Sequence, residues 1–339
     1  MKYSRVAWFV FCLMWAGFLG CSSSGVRFEG QIVDDASGGA SAARVAVTDS
    51  AGKSVELEGA HAQVDSLGKR WSYVDGSFAF MIPPGGASIE IRRGLETLPE
   101  SVTVSGGAMA RLIQRTFRLR RWIDMRGRGY LCGDAHAHLP VPEEALPQMQ
   151  AEDLQALNLL YLPDSQNPIP VNKYFTGRLD PSSVPGYEIS VGQEIQDWQM
   201  GHLNLAGVQS LVPGYPDFGG SMEYWKSSPN WDLLRALKAA RSQSATIIWC
   251  HFSSLPGEES PVAAALGLLD AIELITWNDP SGLPNHWEPW EKSGMTQAEF
   301  PVMRPVDLYY QFLNAGFRLP IAAGTDKFAE EIPLGSNRT

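Results

Sequence analysis

Cysteine is scarce in this sequence. There are four in 339 residues and no Cys-x-x-Cys pair, so a zinc site built from thiolates is excluded. Basic charge is short as well: 27 Lys and Arg face 37 Asp and Glu, a formal charge of −10. Neither a Gly-x-Ser-x-Gly elbow nor a Gly-x4-Gly-Lys phosphate loop occurs, which removes the chemistries those motifs carry. The apolar run at the start, Val6–Leu19, has 14 residues, short of the ~20 that span a bilayer. What remains is ordinary globular text, 44% apolar and 19% charged, too hydrophobic for disorder. At roughly 100–200 residues per domain the length points to two domains.

The missing basic charge is missing from one half. Residues 21–126 carry 13 basic and 12 acidic side chains, whereas residues 127–339 carry 12 and 25. An acidic back half argues against a polyphosphate partner, hence no nucleic acid. It fits either a solvated acidic surface or a site that gathers carboxylates around cations.

Residues 1–20 read as an address. Lys2 and Arg5 precede the apolar run, which ends in Phe18-Leu19-Gly20-Cys21 followed by three serines. That pattern is an export signal, and its end resembles the lipobox of bacterial lipoproteins, with Phe18 where Leu is usual. The resemblance implies a lipid on Cys21, a membrane attachment through it, and a location at the periplasmic face of the outer membrane or the cell surface. Cys132 and Cys250 lie in apolar strand-like runs and read as small buried hydrophobes rather than a bridge.

From Val26 to about Met125 short alternating runs are punctuated by turn residues: Arg27–Val33, Ala43–Val47, Ser77–Ile82 after Asp75-Gly76, Ser88–Arg92, and Val102–Val104. Such spacing predicts an all-β sandwich over residues 21–126. The arginines at 111, 115, 118, 120 and 121 fall on an alternating strand and read as a solvated basic face, and His61 as a surface residue. The run of motifs resembles carboxypeptidase regulatory-like domains, which implies an accessory module without catalysis.

After residue 127 the grammar alternates strand with helix. Helices are expected over Ala145–Ala156, Trp231–Ala240, Val262–Leu269 and Val306–Ala315. Strands are expected at Tyr130–Cys132 and onward to His138, Leu157–Leu162, Tyr187–Val191, Leu203–Leu205, Ala245–Cys250, Ala271–Ile275 and Leu319–Ala323. Alternation of this kind builds a parallel sheet or barrel. His136, His138, Asp164, Glu194, His251 and Asp326 fall at the carboxyl ends of expected strands, the face on which a βα barrel carries its chemistry. His136 and His138, two apart on a strand, share a face, and Asp134 on that face can orient a ring. Taken singly, His251 and His202 also read as hydrogen-bonded core histidines. His286 and the tryptophans at 277, 287 and 290 read as surface or packing residues, or as a wall for substrate.

In order, "GYLCGDAHAHLP", "VGQEIQDWQMGHLNLAG", "IIWCHFSSL", "AIELITWND" and "LPIAAGTD" resemble the motifs of PHP-domain metallohydrolases, closest to the CehA/McbA branch. The resemblance implies a multidomain α/β chain in which a distorted (β/α)7 barrel over residues 127–339 follows the sandwich. It assigns His136, His138, Glu194 and Asp326 to a first metal site. Glu194 would bridge to a second site completed by His202 and His251. A third ion would need histidines where Ser165 and Phe328 stand, so one or two divalent ions (zinc, manganese or iron) are expected. The family usually continues beyond "G-x-NR-[TY]", which implies a copy shortened at its C-terminus. The implied reaction is metal-dependent hydrolysis of an ester, amide, carbamate or phosphoester in a small-molecule substrate, with Asp326 or Asp164 handling the proton. Lys327 is the one cation adjoining the motifs, and phosphate is usually held by Arg or Lys. The rival reading is a lipid-anchored binding protein whose metal site does not turn over.

Overall fold

The computed structural model describes residues 25–65, 67–107, 110–160, 171–197, 200–212, 233–253, 257–275, 294–296 and 299–339. The expected export signal with Cys21, Asp164, Ser165, and the segment holding His286 and its neighbouring tryptophans lie outside the described residues.

The N-terminal strands are β1 (Arg27–Asp34), β2 (Ala42–Asp49), β3 (His61–Val64), β4 (Arg70–Asp75), β5 (Ser77–Met81), β6 (Ala87–Arg92), β7 (Glu100–Val104) and β8 (Leu112–Leu119). They form two sheets, ordered β5-β1-β8 and β3-β4-β2-β6-β7. Period-2 patterning decides which side chains turn inward: Ala87, Ile89 and Ile91 of β6 are buried and their neighbours are not. The two sheets share one core, with Phe28, Phe78, Phe80 and Phe117 of the first against Val45, Val47, Ile89 and Ile91 of the second. Each such side chain contributes roughly 1.5–3 kcal/mol by leaving water. On β8 only Phe117 and Leu119 are buried, while Arg115 and Arg118 face solvent.

The second body follows with β9 (Gly133–Ala137), α1 (Pro142–Glu152), β10 (Ala156–Leu159), α2 (Val171–Tyr174), β11 (Glu188–Val191), β12 (Gln193–Asp197), β13 (Gly201–Ala206), α3 (Leu233–Arg241), β14 (Thr246–Trp249), α4 (Ser260–Ala265), β15 (Ala271–Ile275), α5 (Phe300–Asn314) and β16 (Ile321–Ala323). One sheet, β11-β10-β9, is parallel throughout. The other runs β12-β13-β14-β15-β16, and here the expectation of purely parallel pairing fails. β13 is antiparallel to both β12 and β14. Only residues 198–200 separate β12 from β13, too few for the dozen or so a parallel crossover needs.

The two sheets join at both margins. On one side Ala137 bridges Lys327, Asp326 N donates to His136 O at 2.7 Å, and His138 N to Lys327 O at 2.8 Å. On the other, Gly192 N still bonds Leu159 O at 2.8 Å, while the next residue, Gln193, already pairs with Leu205 of β13. A Cβ at Gly192 would strike the Leu205 carbonyl and the Asn158 amide, so this handover requires glycine.

Helix α1 starts earlier than periodicity predicts because Pro142 takes the first turn with Glu143 and Glu144, and it stops earlier because Asp153 turns left-handed (φ 52°). Helix α3 buries Leu233, Ala236, Leu237 and Ala240, the spacing of one helical face. Phe312 of α5 meets Trp249 and Phe252 edge to face, so Trp249 is a packing residue.

Helix α1 also touches β2 and β4 of the N-terminal body. Beneath that contact, Glu152 and Asp153 are answered by arginines. Arg44 lies 3.2 Å from Glu152, and Arg93 and Arg121 lie 2.9 and 2.6 Å from Asp153. Arg338 approaches Glu152 at 3.4 Å. Arg121 therefore departs from the solvated basic face expected for it. Thr339 exchanges backbone hydrogen bonds with Gly133 at 2.8 and 2.9 Å, which ties residue 339 to the start of β9.

Candidate metal centre

Six of the residues singled out above come together: His136, His138, Glu194, His202, His251 and Asp326, none more than 5% exposed. His136 and His138 present their Nε2 atoms 3.2 Å apart. Their other ring nitrogens face acceptors. His136 Nδ1 lies 3.1 and 3.2 Å from the Glu273 carboxylate, and His138 Nδ1 meets the Leu160 carbonyl. An acceptor requires a proton on Nδ1, so in each neutral ring the lone pair sits on Nε2. Two lone pairs at that separation need positive charge between them, a proton or an ion.

The two carboxylates complete the arrangement. Glu194 Oε2 is 3.6 Å from His136 Nε2 and 3.4 Å from His138 Nε2, and its Oε1 is 3.5 Å from His202 Nδ1 and 3.7 Å from His251 Nε2. Asp326 Oδ1 lies 3.3 and 3.0 Å from His136 and His138, and its Oδ2 is 3.7 Å from His251. Donors bound at about 2.1 Å in a tetrahedral shell stand about 3.4 Å apart, so these separations suit ligands of one or two ions. His136, His138 and Glu194 form one donor triad and Glu194, His202 and His251 another.

Local backbone explains how the side chains converge. His251 (φ 51°) and Asp326 (φ 50°) are left-handed, a conformation that costs a non-glycine residue about 1–3 kcal/mol. Asp and His tolerate it better than branched residues. Just before Asp326, a Cβ on Gly324 would strike Glu273 Oε1 and His136 Cβ, so only glycine lets β16 approach β9 this closely.

Charge in the metal-free cluster is redistributed. Burial opposes the charged ring of His136, but Glu273, Asp326 and Glu194 outweigh it and raise its pKa well above the ordinary 6.5. His138 is raised the same way, against burial, by Asp326 and Glu194. Burial works to raise Glu194 and Asp326, yet the imidazoles prevail and hold both carboxyls below their ordinary values. His202 goes the other way, lowered chiefly by burial.

Three assignments change. Asp134 does not orient a ring; it accepts the backbone N–H groups of His136, Thr325 and Gly335 at 3.1, 2.9 and 2.9 Å and so pins β9 to the closing segment. The ring is oriented by Glu273, which sequence reading left without a role, although a lone carboxylate in the apolar strand Ala271–Ile275 was its signal. Lys327 does not face the cluster. Its Nζ is taken by the carbonyls of Ala329, Glu330 and Ile332 at 2.9, 3.2 and 2.5 Å, and burial pushes its pKa down to about 8. Gln196, also overlooked, donates to Glu194 Oε2 at 3.0 Å. Cys132 and Cys250 are free thiols. Phe328, 37% exposed, stands two residues past Asp326.

No family profile matches the chain, and no curated protein does. Solved structures do. PsfC from Pseudomonas syringae PB-5123 is 15% identical with a TM-score of 0.36, over 61% of this chain and 80% of its own. A two-domain protein from Bacteroides vulgatus ATCC 8482, containing a predicted PHP-like metal-dependent phosphoesterase, is 17% identical at a TM-score of 0.34. That match spans 58% of this chain and only 52% of the other. A Bifidobacterium adolescentis ATCC 15703 protein, provisionally assigned as a metal-dependent phosphoesterase, is 11% identical at 0.35, over 60% and 89%. Likeness of this degree leaves the functional reading to the donor cluster itself.

Proposed function

We propose that the chain is a metal-dependent hydrolase of the PHP type. The observation that carries this is the single buried carboxylate of Glu194 facing two pairs of imidazoles, one on each oxygen. The donor set, imidazole nitrogen with carboxylate oxygen, suits zinc, manganese or iron. His136, His138, Glu194 and Asp326 would hold one ion, and Glu194, His202 and His251 a second. When bound, such ions acidify water and polarise the bond under attack. The chain's own residues do the rest. Glu273 and the Leu160 carbonyl hold two rings in register, and burial excludes bulk water. Asp326 Oδ2, on the His251 side, can take a proton and return it to the leaving group; Asp164 stays the second candidate for that step.

With Lys327 tied to carbonyls, the one cation adjoining the motifs is withdrawn from a phosphate. This favours an ester, amide or carbamate over a phosphoester. The proposed setting is a chain lipid-anchored at Cys21 and exported, with a distorted (β/α)7 barrel from about Gly127 preceded by a carboxypeptidase regulatory-like sandwich. The second reading, a binding protein with a non-catalytic metal site, draws on Ser165 and Phe328 standing where the resemblance would need histidines.

Metal analysis of the purified protein, with aryl ester, aryl carbamate and phosphodiester substrates before and after chelation, tests both. Bound divalent metal with chelator-sensitive ester or carbamate turnover is expected. Bound metal without turnover supports the binding protein, and no bound metal sinks both.

A further inference from the structure

We propose that Cys250 is a ligand of the same centre, giving it one sulfur donor and a preference for thiophilic ions such as zinc over manganese. This rests on the metal-centre reading above and deepens it.

Cys250 follows β14 and is fully buried. Its neighbours Ile247, Trp249 and Phe252 belong to the apolar core beneath the helices, and Cys250 does not. Its Sγ instead donates a hydrogen bond to Glu194 Oε1 at 3.7 Å in the metal-free chain. With His136 and His251 it forms a third donor triad, all ligand atoms within 4.8 Å of one another. A sulfur at about 2.3 Å and an oxygen or nitrogen at about 2.1 Å from one tetrahedral ion stand about 3.6 Å apart. The thiol and carboxylate that share a hydrogen bond therefore also stand at a spacing that fits two donors to one ion.

The backbone supplies a reason for this pairing. Consecutive residues on a strand point to opposite faces, so Cys250 and His251 would not ordinarily serve one centre. Both residues lie past the end of β14, where the turn, left-handed at His251 (φ 51°), frees them from that alternation and lets both approach one centre. On binding, the thiol exchanges its S–H proton for the ion and the proton leaves to solvent. One thiolate among imidazoles and carboxylates shifts selection toward zinc or ferrous iron, because manganese prefers oxygen.

Cobalt(II) loaded into the chelated full chain reads this out without activity. The wild type is expected to show a thiolate-to-cobalt band in the near ultraviolet beside the visible ligand-field bands. Cys250→Ser should lose the first and keep the second, and Cys132→Ser should keep both. In competition titrations Cys250→Ser should weaken zinc about tenfold or more and leave manganese nearly unchanged. X-ray absorption of the zinc-loaded wild type, which needs no variant, should show a sulfur neighbour at about 2.3 Å. Visible cobalt bands without the near-ultraviolet band, or a zinc shell without sulfur, overturn the proposal and leave the metal centre standing. A chain that takes up no cobalt or zinc overturns both.

Discussion

Two clusters of buried acid sit in the second body, and they are neutralised differently. Glu152 and Asp153, at the end of α1, meet four guanidinium groups, from Arg44, Arg93, Arg121 and Arg338. Among the described residues, the ion pairs of Glu194, Glu273 and Asp326 are all with imidazoles. A guanidinium is permanently charged and bonds carboxylates at fixed geometry, which suits a joint between parts of a fold. An imidazole can give its lone pair to an ion and its proton to solvent. The first cluster is complete without a ligand, and the second stores negative charge that only protons or metal can balance.

The largest expected contrast comes from Glu194→Gln. It removes the carboxylate shared by both histidine pairs, so metal content by plasma mass spectrometry should fall about 100-fold or more at fixed free metal. The metal-free melting temperature should fall as well near neutral pH, because the buried imidazoles lose the carboxylate they hold below its ordinary pKa. Arg93→Met should separate the two properties. Arg93 binds Asp153, the Ala42 and Gln150 carbonyls and the Tyr187 hydroxyl, so its loss should cost about 3 kcal/mol in denaturant unfolding and leave metal affinity intact. An Arg93→Met variant that also lost metal affinity would erase the distinction.

Glu273→Gln is a finer cut, since it keeps the shape but weakens the acceptor that orients His136. Metal affinity by competition titration should drop about 10- to 100-fold. An unchanged affinity would make Glu273 a mere packing partner.

The pH dependence sharpens the contrast further. Without metal, the raised pKa of His136 contributes stability that is complete below 6.5 and is lost as pH climbs through the raised value. Glu194 and Asp326 contribute stability that is complete above their ordinary 4.5 and 3.8 and is lost as pH falls through the depressed values. Chelated protein should therefore be most stable from about pH 5 to 6.5 and weaken above it. Metal-loaded protein should keep gaining stability past pH 7, because the ion displaces those protons. Thermal melts across pH, with and without chelator, check the crossing.

The smallest effect expected is that of Gln63→Ala on β3. Gln63 donates to Glu330 at 2.9 Å, four residues beyond Asp326. Its loss should change stability by under about 1 kcal/mol, and metal affinity by no more than a few-fold.

Much of this cluster was legible in the sequence because polar side chains at strand ends are local facts. His-x-His on one strand, a carboxylate after another and Gly-Thr-Asp after the last each announce themselves within a few residues. Partnership was not legible. Whether Asp134 would meet a ring or three amides depended on residues 325 and 335 folding back onto β9, contacts separated by about 190 residues or more. Lys327 looked like a site cation by adjacency, but the bridge to Ala137 sends its side chain toward residues 329–332. The antiparallel β13 was hidden for a similar reason: strand propensity marks a strand without giving its direction. Only the short link from β12 carried that information.

Gly192 gives Glu194 a mechanical meaning. Two residues before that carboxylate, the chain lets go of β10 in one sheet and takes hold of β13 in the other. A slide of one sheet past the other is thus delivered through a two-residue lever to the group both histidine pairs share. Distortion of the body is geared to the spacing of whatever those pairs hold.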